Sequence, residues 1–323
     1  MRTFAFYGCA LTVFIATLLS ACSGTQPAVQ PLSPGSEHQA SRTHGLSDRD
    51  SRRPPTVPSL LYGSAGNQID IFPLTFRNEP QIGTITTGVD GAFTLYIDRN
   101  ETLYVVNQGN STVTAYPYGA TSPSATYSGG LDTPAYVALD ASGDLFVSNW
   151  NNGTVVEFAN GSTSPTETLQ TPGIGTAGLA FDQLGNLYVA YWTDVSANNG
   201  RIEEFPPGSA QGQTLGMSIH RPSGLFVDKS GNIIALGYGG RNCGGGGVWC
   251  DQVLVFPPGA NYASVDIHLG RFSPVQVAMQ SNEKRIFLSE AGSSVHEATY
   301  PLTEYSKFHE YQDCCEGIAV TRP

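Results

Sequence analysis

The chain has 323 residues, with 37 Gly, 21 Pro and only 13% charged residues. Glycine- and proline-rich turns between short apolar runs are typical of all-β proteins and argue against a helical fold. The formal net charge is −11 at pH 7. We therefore expect no nucleic-acid partner, because nucleic-acid binders present a basic face to the phosphates.

Residues 1–21 predict an export signal. Arg2 supplies a positive charge, and Phe4 to Leu19 is mostly apolar but too short and wrongly flanked for a stable membrane span. The segment ends in Leu19-Ser20-Ala21-Cys22, which resembles the bacterial lipobox, whose cysteine is lipidated and becomes the first residue. The resemblance implies lipidation at Cys22 and a location in the bacterial cell envelope. Ser23 after the cysteine favours the outer membrane; ordinary secretion is the alternative.

Residues 22–58 predict a disordered tether. The stretch is rich in Ser, Pro, Gln, Gly and Arg and has almost no apolar periodicity, so it cannot bury a core. A flexible coil of this length has an r.m.s. span of about 30–36 Å. Such a tether would hold a folded domain, residues 59–323, away from the bilayer.

A repeated segment follows, in which an apolar strand, an Asp-containing turn and a second apolar strand recur. The shared aspartates are separated by 42, 42 and 46 residues; they are Asp98, Asp140, Asp182 and Asp228. A period in this range with several short strands per unit predicts a β-propeller. The Asp side chain can bond to backbone N–H groups of the turn. Three glycines supply the positive φ that a tight hairpin needs: Gly143, Gly185 and Gly231.

The two ends of the repeat region complement each other. Glu316 to Val320 reads as a first strand with nothing after it, whereas Leu60 to Ser64 and Gln68 to Phe72 read as second and third strands with nothing before them. Together they make one blade, so the prediction is a six-bladed β-propeller closed by pairing the C-terminal strand with the N-terminal blade. Closure of this kind leaves only short, protected sheet edges.

The pattern Asp-x-x-Gly-Asn-Leu-x-Val, followed by Asn-x-x-Val-x-x-Phe, resembles the NHL repeat. More broadly, the chain resembles the six-bladed family that includes gluconolactonases and virginiamycin B lyase, over roughly residues 60–320. The resemblance implies the fold, but the same propeller carries both enzymes and binding modules.

Gluconolactonase-like enzymes place Glu, Asn and Asp at the mouth of the central channel to hold one divalent ion. The positions that align with this set are Phe93, Ala135, Ala177, Ser223, Val275 and Glu316. One carboxylate and one hydroxyl are a poor set for a hard cation, which prefers several oxygen ligands. We therefore expect no metal, no cofactor and no catalytic residue. A metal-dependent lactone hydrolase or a lyase with an atypical site at Glu316 stays as an alternative.

The loops after the second strands carry amides and large aromatic side chains, which should gather on one face around the channel. With Glu316, the candidate ligand-binding residues are Asn107, Asn149, Trp150, Tyr191, Trp192 and Tyr238. Flat rings offer contact area at low entropic cost and suit a sugar or peptide. The alternative is that these rings pack under their own loops.

Four cysteines lie beyond the export signal and Cys22, and in an exported chain they suggest disulfides. Cys243 and Cys250 flank a glycine-rich excursion and are predicted to pair. The pairing of Cys314 and Cys315 is left open.

These features favour a lipid-anchored propeller that acts as a non-catalytic binding module. Its expected partners are the membrane, through the lipid anchor, and a glycan, a peptide or an envelope protein. The hydrolase or lyase is one alternative, and a structural scaffold is another.

Overall fold

The computed structural model of the protein describes residues 59–194, 200–241, 249–270, 272–291 and 294–321. The export signal, Cys22, the tether and Cys243, which is one half of the predicted Cys243–Cys250 disulfide, lie outside the described residues. The described chain is all-β, with strands numbered β1 to β24 in sequence order. No helix in this part of the chain has the length and hydropathy needed to cross a bilayer.

The strands form six four-stranded antiparallel sheets, which are the blades of a propeller, as predicted. Blade 1, from its innermost strand outward, consists of β24 (Ile318–Val320), β1 (Leu60–Ser64), β2 (Ile69–Pro73) and β3 (Gly83–Ile85). Blade 2 consists in the same order of β4 (Ala92–Ile97), β5 (Leu103–Asn107), β6 (Thr112–Tyr116) and β7 (Ala125–Tyr127). Blade 3 consists of β8 (Pro134–Leu139), β9 (Leu145–Asn149), β10 (Thr154–Phe158) and β11 (Pro165–Gln170).

Blades 4 to 6 follow the same order. Blade 4 consists of β12 (Gly175–Phe181), β13 (Leu187–Trp192), β14 (Gly200–Phe205) and β15 (Gln213–Thr214). Blade 5 consists of β16 (Pro222–Val227), β17 (Ile233–Arg241), β18 (Trp249–Phe256) and β19 (Val265–Gly270). Blade 6 consists of β20 (Pro274–Met279), β21 (Arg285–Glu290), β22 (Val295–Thr299) and β23 (His309–Gln312). The first strand of each blade contacts the first strands of the two neighbouring blades, so these six strands line a central channel.

The ring closes as the sequence predicts. β24 pairs antiparallel with β1, with Leu61 opposite Val320 and Gly63 opposite Ile318. Beyond the strand, the Leu60 N–H donates to the Thr321 hydroxyl at 2.7 Å. The last described residues of the chain therefore complete the first blade.

The turns between first and second strands confirm the predicted role of the repeated aspartates. In blade 3, Asp140 Oδ1 accepts from the backbone N–H of Ser142 at 2.8 Å and of Asp144 at 2.9 Å. Gly143 in the same turn has a φ of 87°. The equivalent residue of blade 2 is Glu101, whose φ of 62° shows that the repeat imposes this conformation even without glycine.

The core lies between neighbouring blades. Val106 of blade 2 packs with Val137 and Val147 of blade 3, and Ile202 of blade 4 packs with Leu225 of blade 5. Because each blade buries both of its faces against neighbours, its middle strands are apolar on both sides.

Cys314 and Cys315 are bonded to each other, which settles the pairing that the sequence left open. Cys315 is buried with Leu61 and Phe287 between blades 1 and 6, just before the closing strand. Gly63 faces the Cys315 sulfur so closely that a Cβ at that position would have no room.

Candidate functional site

The starts of the inner strands carry a recurrent irregularity. The antiparallel register shifts near the beginning of five of them, which are β4, β8, β12, β16 and β20. A β-bulge re-aims the side chains of its extra residues. We call this end of the channel the upper mouth, and the end where the inner strands finish the lower cavity.

Two side chains at the bulges close the channel; we call them the plug. Gln276 of blade 6 accepts from Leu95 N–H at 3.1 Å and Ile318 N–H at 2.9 Å and donates to the Leu95 carbonyl oxygen. Tyr136 of blade 3 donates its hydroxyl hydrogen to the carbonyl oxygen of Val275, on the opposite blade. Both side chains are buried. One tyrosine thus spans the channel.

Three other blades have glycine at the repeat position that Tyr136 and Gln276 occupy, and these glycines leave room for the plug. A Cβ on Gly224 would lie 3.0 Å from the Val275 oxygen, and one on Gly317 would lie 2.7 Å from Thr94 Cα. The inner strands can therefore approach closely where Tyr136 and Gln276 fill the centre.

Three predicted residues come together at the upper mouth, and we call them the aromatic row. The ring centroids of Trp150 and Trp192 are 5.0 Å apart, and those of Trp192 and Tyr238 are 5.9 Å apart. All three side chains are partly exposed. Trp192 Nε1 donates to the Pro222 carbonyl oxygen at 2.9 Å, which fixes the central ring. The guanidinium carbon of Arg221 lies 5.7 Å from the Tyr238 ring centroid.

The aromatic row extends as far as Tyr136 of the plug. Tyr238 lies near enough to Tyr136 that it adds to the effect of burial in raising the pKa of the Tyr136 hydroxyl. On the other side, Phe93 stands edge-on to Tyr136 with the ring centroids 6.3 Å apart. Aromatic side chains from blades 2 to 5 therefore line one continuous part of the upper mouth.

Asn107 and Asn149, which the sequence also suggested as ligand-binding residues, do not join the row. Asn149 Oδ1 accepts from Asp132 N–H at 2.9 Å, and its Nδ2 donates to the Gly130 carbonyl oxygen at 2.9 Å. Asn107 makes the equivalent bonds in blade 2, and both side chains are fully buried. Their amides fix the connection that enters the inner strand.

Tyr191 is also directed inward. It is 2% exposed, and its hydroxyl hydrogen-bonds with Thr214 Oγ1 at 3.2 Å within blade 4. Of the neighbouring pair Tyr191 and Trp192, only the second lies at the surface of the mouth.

Glu316 stands on blade 1, at the repeat position that Phe93 and Ser223 occupy in their blades. Its backbone is held by the bond from Glu316 N–H to the Ser64 carbonyl oxygen at 3.1 Å. The carboxylate is partly buried, and desolvation raises its pKa. No described residue donates a hydrogen bond to this carboxylate or forms an ion pair with it.

The residues at the mouth do not fit the divalent ion that a gluconolactonase-like site would hold. Ser223, the second oxygen-bearing side chain of the aligned set, already donates to the Pro274 carbonyl oxygen at 2.6 Å. Within the described ranges, no three His, Cys, Asp or Glu side chains are arranged to hold a metal ion. We therefore derive no chemical step through a metal.

The lower cavity has a volume of about 580 Å³ and is walled by the inner strands, with Tyr136 and Gln276 at its inner end. The repeated aspartates stand at its rim, but their oxygens are used locally. Asp182 Oδ2, for example, accepts from Asn186 Nδ2 at 2.8 Å, and Asp228 Oδ2 accepts from Asn232 Nδ2 at 2.7 Å. The lower cavity is thus built mostly of strands and of turns whose hydrogen bonds are satisfied locally.

Sequence reasoning missed the plug. Tyr136 and Gln276 occupy a repeat position at which three other blades have glycine, and this contrast is the signal that could have identified them. The equivalent residues are Gly317, Thr94, Tyr136, Gly178, Gly224 and Gln276 in blades 1 to 6.

No protein-family model matches the chain, and no curated protein matches it either. Among solved structures, 1251 chains match, so the fold is common and by itself says little about function. One of them is hydrazine synthase of Kuenenia stuttgartiensis, with a TM-score of 0.55 and 13% sequence identity over 72% of this chain and 70% of that one. At this identity the similarity concerns the fold alone, which in this chain is a six-bladed β-propeller.

Proposed function

We propose that the protein is a non-catalytic binding module that presents its upper mouth to a glycan or a peptide. The observation that carries the proposal is the aromatic row, in which partly exposed rings from three successive blades stand side by side. Large rigid rings supply contact area at low entropic cost, which is why they dominate many recognition sites.

The dimensions of the row suit an extended ligand. Its successive centroid separations are 5.0 and 5.9 Å, so the row is at most as long as about three residues of an extended peptide, at about 3.4 Å per residue. The plug beneath the row supports surface binding, because a ligand at the mouth cannot thread through the channel at that level.

We further propose that the module is lipid-anchored at Cys22, held by the tether 23–58 and located in the bacterial cell envelope, at the outer membrane. The support is the lipobox-like Leu19-Ser20-Ala21-Cys22 after an apolar segment. Radiolabelled palmitate should enter the wild-type protein but not Cys22→Ala. Equal labelling of both would refute the anchor.

A metal-dependent lactone hydrolase or lyase is a second candidate, favoured by one observation, the Glu316 carboxylate at the mouth, to which no described residue bonds. Its aligned partners argue against it, since Phe93, Ala135 and Val275 have no side-chain oxygen. A purely structural scaffold is the third candidate.

Thermal unfolding of the full-length protein in detergent separates the three functions. A ligand that binds only the folded state raises the unfolding midpoint by mass action. The binding module predicts a rise with a glycan or peptide that is lost in Trp150→Ala. A rise with Ca²⁺, Zn²⁺ or Mn²⁺ over EDTA that is lost in Glu316→Gln would favour the enzyme. No rise with any of these would favour the scaffold.

A further inference from the structure

The upper mouth carries charge as well as aromatic surface. Building on the proposed function, we propose that the mouth takes a ligand with a positively charged amine, held between the Glu316 carboxylate and the aromatic row. The ligand class is thus an organic cation or an amine-bearing residue of a peptide or glycan.

Among the described residues, Glu316 has no partner of the kind that a partly buried carboxylate usually has. Burying a charge is unfavourable unless it is paired, and desolvation accordingly raises the pKa of Glu316. Since no described residue bonds to the carboxylate, a bound ligand can supply the compensating group. An ammonium group supplies both the opposite charge and hydrogen-bond donors.

The aromatic row already holds a cation of the protein itself. The Arg221 guanidinium lies over Tyr238, with its central carbon 5.7 Å from the ring centroid, within the roughly 6 Å at which a cation is attracted to a ring face. The Trp150 and Trp192 rings, partly exposed beside Tyr238, offer the same kind of surface. Indole is the strongest of the aromatic groups in this interaction.

Glu316 and the aromatic row belong to the same end of the channel. Tyr136 crosses the channel from blade 3 to Val275 on blade 6, and Gln276 crosses from blade 6 to Leu95 and Ile318. Glu316 lies only two residues before Ile318, at the bulge level just above the plug. Above the plug, the mouth therefore has Glu316 on blade 1 and the aromatic row on blades 3 to 5.

The negative charge of the whole protein also favours a cationic ligand. The formal net charge of −11 attracts cationic ligands and disfavours anionic ones at low salt.

Pairs of probes that differ only in charge test this inference: choline against 3,3-dimethylbutan-1-ol, and phenethylamine against 2-phenylethanol. Quenching of tryptophan fluorescence is followed in the full-length protein. Each amine is expected to bind about tenfold or more tightly than its neutral counterpart. Glu316→Gln should reduce this preference to near unity.

Asp140→Asn is the matched control, because it removes the same charge at the rim of the lower cavity and should leave the preference unchanged. An unchanged unfolding midpoint in Glu316→Gln checks that the variant is folded. Equal binding of amine and neutral probe, no binding of either amine, or an equal loss in Asp140→Asn would overturn the inference. If glycans or neutral peptides still bind through Trp192, the proposed function survives that failure; if nothing binds at the mouth, both fail.

Discussion

Asp140 illustrates how much one residue of the repeat contributes. A single carboxylate oxygen accepts two backbone N–H groups of the turn that joins β8 to β9. Asp98, Asp182 and Asp228 do the same in their blades. The aspartate at this repeat position therefore stabilises the turn and is not placed there to bind a ligand.

Asp140→Ala should lower the free energy of unfolding by about 2 kcal/mol, because two N–H groups lose a charged acceptor. Asp140→Asn keeps an oxygen in the same place and should cost about 0.5–1 kcal/mol. Urea unfolding of both variants measures the difference. Equal losses of unfolding free energy in the two variants would mean that the turn depends on the negative charge of Asp140 and not on an acceptor oxygen at that position.

Single residues also show which structural roles could be predicted from the sequence and which could not. The turn role of Asp140 and Gly143 could be predicted, because each partner lies within four residues along the chain. The burial of Asn149 could not, because its amide bonds to Gly130 and Asp132 on the connection that precedes the blade. An amide at the end of a strand therefore looked like an exposed loop residue.

At the scale of the strand, an inner strand such as β8 has two functions. The last residues of β8 pair regularly and lead into the Asp140 turn, whereas the first residues of β8 and β20 bulge at the positions of Tyr136 and Gln276, which reach into the channel. The strands themselves were predictable from apolar periodicity. The plug was not, since Gln276 bonds to Leu95, 181 residues away in the sequence.

Gln276→Met should be strongly destabilising, by about 3 kcal/mol. It fills a similar volume but leaves the buried N–H groups of Leu95 and Ile318 and the Leu95 carbonyl oxygen without their partner. Gln183→Met, the same change at an exposed side chain, should cost less than about 1 kcal/mol. Chemical unfolding curves give both values. A small loss for Gln276→Met would show that the plug fills space without carrying those hydrogen bonds.

At the scale of the whole molecule, closure of the ring depends on three residues of β24. The sequence allowed this closure to be predicted, because an unpaired first strand at one end matched an incomplete blade at the other. The same reasoning could not reveal function. The aromatic row forms between three blades, and the hydrogen bond that ties it to a neighbouring blade runs from Trp192 to Pro222.

Deleting residues 318–323 should abolish cooperative unfolding. Without β24, blade 1 loses its inner strand and exposes the edge of β1, so buried Ile318 and Ala319 no longer seal the gap between blades 6 and 2. A deletion of residues 322–323 keeps β24 and Thr321 and should unfold like the full chain. Circular dichroism during heating is the readout. A cooperative transition at the wild-type temperature in the longer deletion would contradict the closure.

The upper mouth is the proposed ligand site of the whole molecule. The most direct test is the binding of the full-length protein to glycan and peptide arrays, with Trp150→Ala and Trp192→Ala compared with Tyr262→Ala, which removes an aromatic ring that is 87% exposed elsewhere. We predict that at least one ligand binds, that each tryptophan variant loses about tenfold or more in affinity, and that Tyr262→Ala retains it. Binding that survives both tryptophan substitutions would contradict the account.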